Sequence, residues 1–429
     1  MTRRRIIHVA VLIAISVATV LLYFPKYDPT VQPFGEVGYE SLSIADSLVK
    51  GQGFANPFPV PTGPSAHLAP LFPAMIAFVG AHTLDAPSAD YVLQWLAVIA
   101  MTIELCLMPL LAEHMGMGFF AGVVGSVVWL LARIQLETVW EQTFAAVLIT
   151  AISFLMYDGL RKQFVWPRLL LCAGLWGVSL LLSPVTLLPW IAWLCLIYLR
   201  REQRLKQKLA LTLLPFLIVA PWIVRNYRVF HHLFFVRDNL GLELRVGNNS
   251  CASFSFEINV FTDCYTQFHP NDNPEENQRM AAVGEYAYDQ EQMRITKAWI
   301  TSSPRQFAKL TGKRIVAFWM PAFLRSEQKV LTDDYEYSPK RDLFVSALSL
   351  ATFCGLFVLW RKNRDAFLIF IVWLVAYPGI YYVVQYNERY RLPVLWAMTL
   401  PGCYSVITVA TAIWERTRRP AAPSLTTDQ

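Results

Sequence analysis

Carboxylates and guanidiniums recur in this chain where apolar stretches begin or end. Glu36, Glu40 and Asp46 follow the first such stretch, and Glu141 opens the fourth. Arg225, with Asn226, closes the seventh, and Glu388, Arg389 and Arg391 lie between the ninth and the tenth. A positioned carboxylate can take a proton from a reacting hydroxyl. A guanidinium can hold anionic oxygens through two parallel N–H bonds. One cavity could hold both kinds of group if the apolar stretches bring these ends to a single face. The sequence contains no P-loop, dinucleotide fingerprint, metalloprotease motif or nucleophile elbow. The acidic residues are too scattered for ligand spacing to assign a metal; no metal ligand and no certain cofactor are assigned, and a divalent ion stays open.

The elements that must position these groups are membrane spans. Of the 429 residues, 55% are hydrophobic, more than a soluble domain of this size could bury, and the mean hydropathy is +0.38. The 14 Trp suit a protein with two membrane–water interfaces. The net charge of +6 does not point to nucleic acid, because the basic residues sit in short clusters between apolar runs. A span needs about 20 mostly apolar residues in a helix. The spacing predicts ten: Ile6–Phe24, Tyr91–Ala112, Gly116–Leu131, Val139–Met156, Leu169–Leu182, Val185–Leu199, Leu209–Val224, Leu343–Trp360, Phe367–Val384 and Leu392–Trp414. Ser183-Pro184 breaks the fifth from the sixth as a hairpin. The first run is longer than a signal h-region and lacks an A-x-A-like site, so it reads as a retained helix. With these crossings, Arg3–Arg5, Arg161/Lys162/Arg168, Arg200–Lys208, Arg361–Arg364 and Arg416–Arg419 all fall on one side. The positive-inside rule makes that side cytoplasmic, with both termini there.

Ala66–Leu84 is also apolar but carries Pro70, Pro73, His67 and His82, and its crossing would flip every later basic cluster; it reads as interfacial or re-entrant. The expected organisation is a membrane region over 1–224 with an outer first loop at 25–90, a partly helical extracytoplasmic loop over 225–341, membrane helices over 342–419 and a disordered tail over 420–429. In the large loop, Pro274–Ser302 reads as one helix and Pro304–Phe323 as an amphipathic second, with Trp299, Phe307, Phe318 and Trp319 available to a membrane surface. Of the seven Cys, Cys106, Cys172, Cys195, Cys354 and Cys403 lie in apolar spans as small hydrophobes. Cys251 and Cys264 lie in the large loop; they can pair if it faces an oxidising compartment and are otherwise two free thiols.

Several segments, in order along most of the chain, resemble the GT-C membrane glycosyltransferases. The likeness is to bacterial relatives of protein O-mannosyltransferase and of the lipid A aminoarabinose transferase, a glycosyltransferase family 39-like pattern. They are Tyr39–Leu48 with Gly51-Gln52-Gly53-Phe54, Ala69-Pro70-Leu71-Phe72-Pro73, Trp140-Glu141-Gln142-Thr143, Pro221-Trp222-Ile223-Val224-Arg225-Asn226-Tyr227, Gly284–Tyr288 and Arg389-Tyr390-Arg391-Leu392-Pro393. The resemblance implies an all-α polytopic membrane protein with a GT-C-type helix bundle. It also implies transfer, with inversion, of a sugar from a polyprenyl-phosphate donor to a protein, lipid or glycan acceptor at the extracytoplasmic face of a bacterial inner membrane. In such a reaction the anomeric carbon gains oxocarbenium character, a carboxylate takes the acceptor proton, and cations steady the departing phosphate.

On that resemblance Glu40 is the base, with Glu36 the alternate and Glu141 a second carboxylate. Arg225, Arg389 and Arg391 would hold the donor phosphate, with His67 standing near the family's lysine position, which here is Leu68. The family's Asp-Glu pair falls on Val37 and Gly38, so Glu40 takes the role from a shifted place. Each residue has a plainer alternative. Glu40 can serve the helix dipole, Glu141 can be a solvated helix end, and the arginines can snorkel, with Arg389 pairing Glu388. Glu104, inside the second span, is either functional or a packing group. Outer Tyr and Trp residues can stack on sugar or anchor the interface. Two other functions compete: a transporter or flippase of lipid-linked sugars, which predicts mid-membrane charges and repeats, and a non-catalytic scaffold.

Overall fold

The computed structural model describes residues 3–30, 39–133, 139–328 and 338–418. Glu36 and the predicted tail lie outside them. The described residues are helical throughout, apart from turns and two isolated bridges. The helices are α1 (Arg3–Leu22), α2 (Tyr39–Val49), α3 (Leu71–Ala81), α4 (Ala86–His114), α5 (Phe119–Arg133), α6 (Glu141–Arg161), α7 (Trp166–Leu182), α8 (Leu187–Leu199) and α9 (Leu205–Phe230). After them come α10 (Leu240–Gly247), α11 (Phe256–Phe261), α12 (Pro274–Val283), α13 (Glu285–Ser302), α14 (Pro304–Trp319), α15 (Arg325–Gln328), α16 (Pro339–Lys362), α17 (Arg364–Ile371), α18 (Gly379–Val383) and α19 (Leu395–Arg418).

Among the described residues seven helical stretches are long and apolar enough to cross a membrane: α1, α4, α6, α9, α16, Arg364–Val383 and Glu388–Arg418. The other three predicted spans are the shorter helices α5, α7 and α8, of 15, 17 and 13 residues. At 1.5 Å per residue the longest of the three reaches about 25 Å, short of a ~30 Å hydrocarbon core without its flanking turns. Pro184 sits where expected: α7 stops at Leu182 and a 3-10 turn, Pro184–Thr186, leads into α8. The equivocal segment at 66–84 contains only the 11-residue α3, too short to cross.

Local chemistry sets the helix ends. Asp85 accepts from Ser88 N at the start of α4, Asn273 from Glu275 N and Glu276 N at α12, and Ser338 from Arg341 N at α16. His231, at φ 58°, turns the chain out of α9. The single helix predicted over Pro274–Ser302 is two, because Gly284 adopts φ +87° and breaks it.

The bundle is held by large buried rings. Trp176 stacks on Trp193 and Trp373 at 6.0 and 5.6 Å, and Trp373 Nε1 donates to Ser153 Oγ at 2.9 Å. α16 and α19 touch at backbone level: a Cβ on Gly355 would stand 1.9 Å from Pro401 O. Thr352 Oγ1 donates across the same seam to Met398 O at 2.8 Å. The loop-side helices are tied on by Arg314, which is fully buried. It donates to Val383 O at 2.7 Å, Asn248 Oδ1 at 3.0 Å and Gly247 O, joining α14 to the C-terminal ends of α10 and α18. Phe318, expected on a membrane surface, is instead fully buried, and Trp319 donates to Tyr382 Oη at 2.7 Å. Cys251 and Cys264 form a disulfide.

Candidate functional site

The first loop and the large loop pair along their backbones, and this pairing builds the site. Asp238 N donates to Ala66 O at 3.2 Å, and Arg237 Nε to His67 O at 2.9 Å. Glu285 accepts from Ala66 N at 2.5 Å. Arg225 donates through Nη1 to Ser65 O at 2.6 Å and through Nη2 to Phe54 O at 2.8 Å, with its guanidinium 4.8 Å from the Trp222 ring centre. Residues 65–67 are therefore gripped from three places, and His67 is held against the large loop. Behind it, burial and the neighbouring Glu285 carboxyl push Asp238 upward from its ordinary pKa.

Glu40 stands in the first turn of α2, in line with its predicted helix-end position. Its Oε1 is 3.9 Å from His269 Nε2, too far for a hydrogen bond. Burial raises its pKa; its own backbone N–H, Arg389 and Arg237 oppose that rise. Glu141, the first residue of α6, lies within electrostatic reach of Arg237 and Arg389. So does Glu243 of α10, which accepts from Asn239 Nδ2 at 3.1 Å and is raised by burial, with Arg237 opposing. The Arg389 guanidinium lies 4.1 Å from the Trp140 ring centre, and Tyr390 stacks on Tyr381 at 4.0 Å. Glu40, Glu141 and Glu243 thus gather within electrostatic reach of Arg237 and Arg389. Their nearest contacts are with rings, amides and backbone rather than with each other.

Of the residues expected from sequence, Glu40, Glu141, Arg389 and His67 meet in this cluster. Arg225 and Arg391 engage other partners. Arg225 donates to the first-loop backbone and to Asn226 Oδ1. Arg391, 6% exposed, donates to Phe318 O at 3.0 Å, Ala317 O at 3.1 Å and Tyr386 Oη at 2.9 Å. Both clamp backbone, because carbonyls left free beside turns and helix ends are good partners for a guanidinium. The expected Glu388–Arg389 pair is absent as well: Glu388 bridges to Arg341 at 2.7 Å. Arg237, Glu243, His269 and Tyr265 were not marked. Their only signal in the sequence is that they are polar or aromatic residues of the large loop.

Glu40, His67 and His269 place one ligand atom each within 4.8 Å of one another. Two histidines and a carboxylate are a donor set that zinc accepts. Burial keeps both rings neutral: His67 is held well below its usual pKa, with Arg237 adding to the effect, and His269 falls to about 3. Asn271 N donates to His269 Nδ1 at 3.2 Å, which leaves the ring proton on Nε2, facing Glu40. The three residues could hold a divalent cation, and His269 would then have to give up that backbone bond.

No protein-family model matches the sequence, and no curated protein matches it. Among solved structures the chain is similar to the Archaeoglobus fulgidus oligosaccharyltransferase in complex with zinc and sulfate, at 13% identity and a TM-score of 0.48, over 95% of this chain and 50% of that one. It is also similar to ArnT from Cupriavidus metallidurans bound to undecaprenyl phosphate, at 13% identity and a TM-score of 0.39, over 98% of this chain and 81% of that one. The chain thus spans half the length of the oligosaccharyltransferase chain.

Proposed function

We propose that this protein is an inverting glycosyltransferase of GT-C type, which moves a sugar from a polyprenyl-phosphate donor to an acceptor hydroxyl at the extracytoplasmic face of a bacterial inner membrane. One observation carries the reading: Glu40, a half-buried carboxylate at a helix start, gathers with Arg237 and Arg389, neither of which makes a close ion pair among the described residues, in what this reading takes as the donor chamber. The order of the family-like segments along the chain adds support. The disulfide in the large loop suits an oxidising compartment. Arg161, Lys162, Arg168 and Arg200 sit on the helix ends of the opposite face, as the positive-inside rule asks of the cytoplasmic side.

In this reading Glu40 takes the proton of the acceptor hydroxyl. The acceptor oxygen attacks the anomeric carbon from the face opposite the phosphate, and the bond from that carbon to the phosphate oxygen breaks. The lipid phosphate leaves with the electron pair and is held by Arg237 and Arg389. Glu141 and Glu243 are placed to accept hydrogen bonds from sugar hydroxyls. A divalent cation on Glu40, His67 and His269 would supply Lewis acidity. The test is transfer by purified protein across a panel of polyprenyl-phosphate sugars, with Glu40→Gln beside wild type. The expected loss is about 10²–10⁴-fold; full activity in the variant removes Glu40 from the role of base.

A further inference from the structure

The disulfide loop reaches both sides of the chamber. Cys251 and Cys264, thirteen residues apart, are covalently joined, and the segment between them carries α11. On its incoming side the loop pairs with the segment that leads to Arg389. Phe256 N donates to Tyr386 O at 2.9 Å and Tyr386 N to Phe254 O at 3.3 Å. Asn259, fully buried, donates to Gln385 Oε1 at 3.3 Å and accepts from Ser253 N at 2.6 Å. Residues 385–387 are thereby fixed, and Asn387 then accepts from Arg389 N at 2.9 Å.

On the outgoing side, Cys264 is buried and precedes Tyr265 directly. Tyr265 N donates to Asn259 O at 2.9 Å, and its ring stacks on His269 at 4.6 Å. His269 N donates back to Tyr265 O at 3.1 Å. One closed loop therefore holds Arg389, over Trp140, and His269, beside Glu40. The tryptophan stack of the bundle makes no use of it.

We propose that Cys251 and Cys264 are positioning residues for the anion-binding half of the chamber. Their bond sets the place of Arg389 through residues 385–387, so opening it weakens donor-phosphate binding while the helix bundle stays folded. A short segment freed from its covalent closure samples open states more often, and a guanidinium displaced by about 1 Å forfeits much of its binding geometry. The inference rests on the reading of the site as a lipid-phosphate chamber.

The experiment uses the full chain in lipid nanodiscs, with undecaprenyl phosphate as the probe. Three forms are compared with the oxidised wild type: Cys251→Ser/Cys264→Ser, wild type reduced by a phosphine, and Asn259→Ala. The phosphine takes up oxygen from water as the S–S bond becomes two thiols. Asn259→Ala loosens the same loop with the bond intact. The expected result is a Kd raised about tenfold in the first two and raised in the same direction in the third, with little change in the thermal midpoint of the bundle. In the transfer assay the donor KM should rise more than kcat falls, and re-oxidation should restore it. Equal Kd values for the oxidised form and for a form shown by mass to carry both thiols free overturn the inference. Maleimide labelling of both thiols in unreduced membranes does so too. Failure of the oxidised protein itself to bind undecaprenyl phosphate overturns the reading of the site, and the inference with it.

Discussion

The two faces of the bundle both collect acids and bases, and they use them in opposite ways. On the face with the basic helix ends, Asp158 is surrounded by His114 Nε2 at 3.0 Å, Lys162 Nζ at 2.9 Å and Arg168 Nη1 at 3.4 Å, and Asp365 is bridged by Arg200. Both of these acids are matched at contact distance, so the two clusters tie helix ends together. In the loop-face cluster the closest ionisable contact of Glu40 is 3.9 Å, Arg237 donates through Nε alone among the described residues, and Arg389 lies over the Trp140 ring and hydrogen-bonds Tyr390. Burial holds these groups near one another without letting them neutralise. Such an arrangement costs stability unless something else supplies the missing partners. A ligand with one anionic end and hydroxyl groups would do so.

The largest effect that could break this contrast is at Glu40. Glu40→Gln should cut transfer by about 10²–10⁴-fold while the thermal midpoint holds or rises, since a buried charge is removed. A parallel fall in stability would make Glu40 a structural acid like Asp158. Arginine replacements come next and separate the two kinds of site directly. Arg237→Ala should lower kcat/KM for the donor about 10–100-fold, the worth of one charge-assisted hydrogen bond, with a smaller loss of stability from its one bond to His67 O than Arg391→Ala brings. Arg391→Ala should do the reverse, leaving buried carbonyls of Ala317 and Phe318 without a donor and destabilising the protein by about 2–3 kcal/mol, with donor KM unmoved in the folded fraction. Enzyme assays beside thermal unfolding in detergent distinguish the two.

How much of this was legible from sequence follows the same divide. The spans could be read because lipid demands long apolar helices, and α3 could be excluded because prolines and histidines interrupt its segment. Glu40 and Glu141 were legible because each sits at a helix start. The partners of two arginines at helix ends were not legible: backbone carbonyls exposed by turns and helix ends accept from Arg225 and Arg391. Arg237 and His269 were illegible because each is an isolated residue of a long polar loop. Their partners, His67 and Glu40, are about 170 and 230 positions away, and no local periodicity encodes such a meeting.

Smaller effects sharpen the contrast. Because burial raises the Glu40 carboxyl, its basic form fills at a higher pH than that of an ordinary glutamate, and the acid limb of transfer should be displaced upward accordingly. A pH–rate profile with its acid limb at the ordinary glutamate position would contradict a buried base. Asp289, which accepts from Leu242 N at 2.9 Å, is raised from 3.8 to about 7, chiefly by burial. The folded chain thus binds its proton more tightly than the unfolded chain. Its contribution is complete below about pH 4 and is lost as pH climbs toward 7, so the loop-side unfolding midpoint should decline over that window and then level. Asp289→Asn should flatten the decline. Smallest of all, Asp158→Asn should lower stability by about 1 kcal/mol or less, since its partners are half-exposed, and leave transfer unchanged.

The most direct measurement pairs binding with turnover in a single variant. Glu40→Gln should bind undecaprenyl phosphate with the wild-type Kd, because Arg237 and Arg389 remain, and yet move almost no sugar from a polyprenyl-phosphate donor that the wild type uses. Undiminished transfer by that variant would contradict the account, as would loss of lipid-phosphate binding together with transfer.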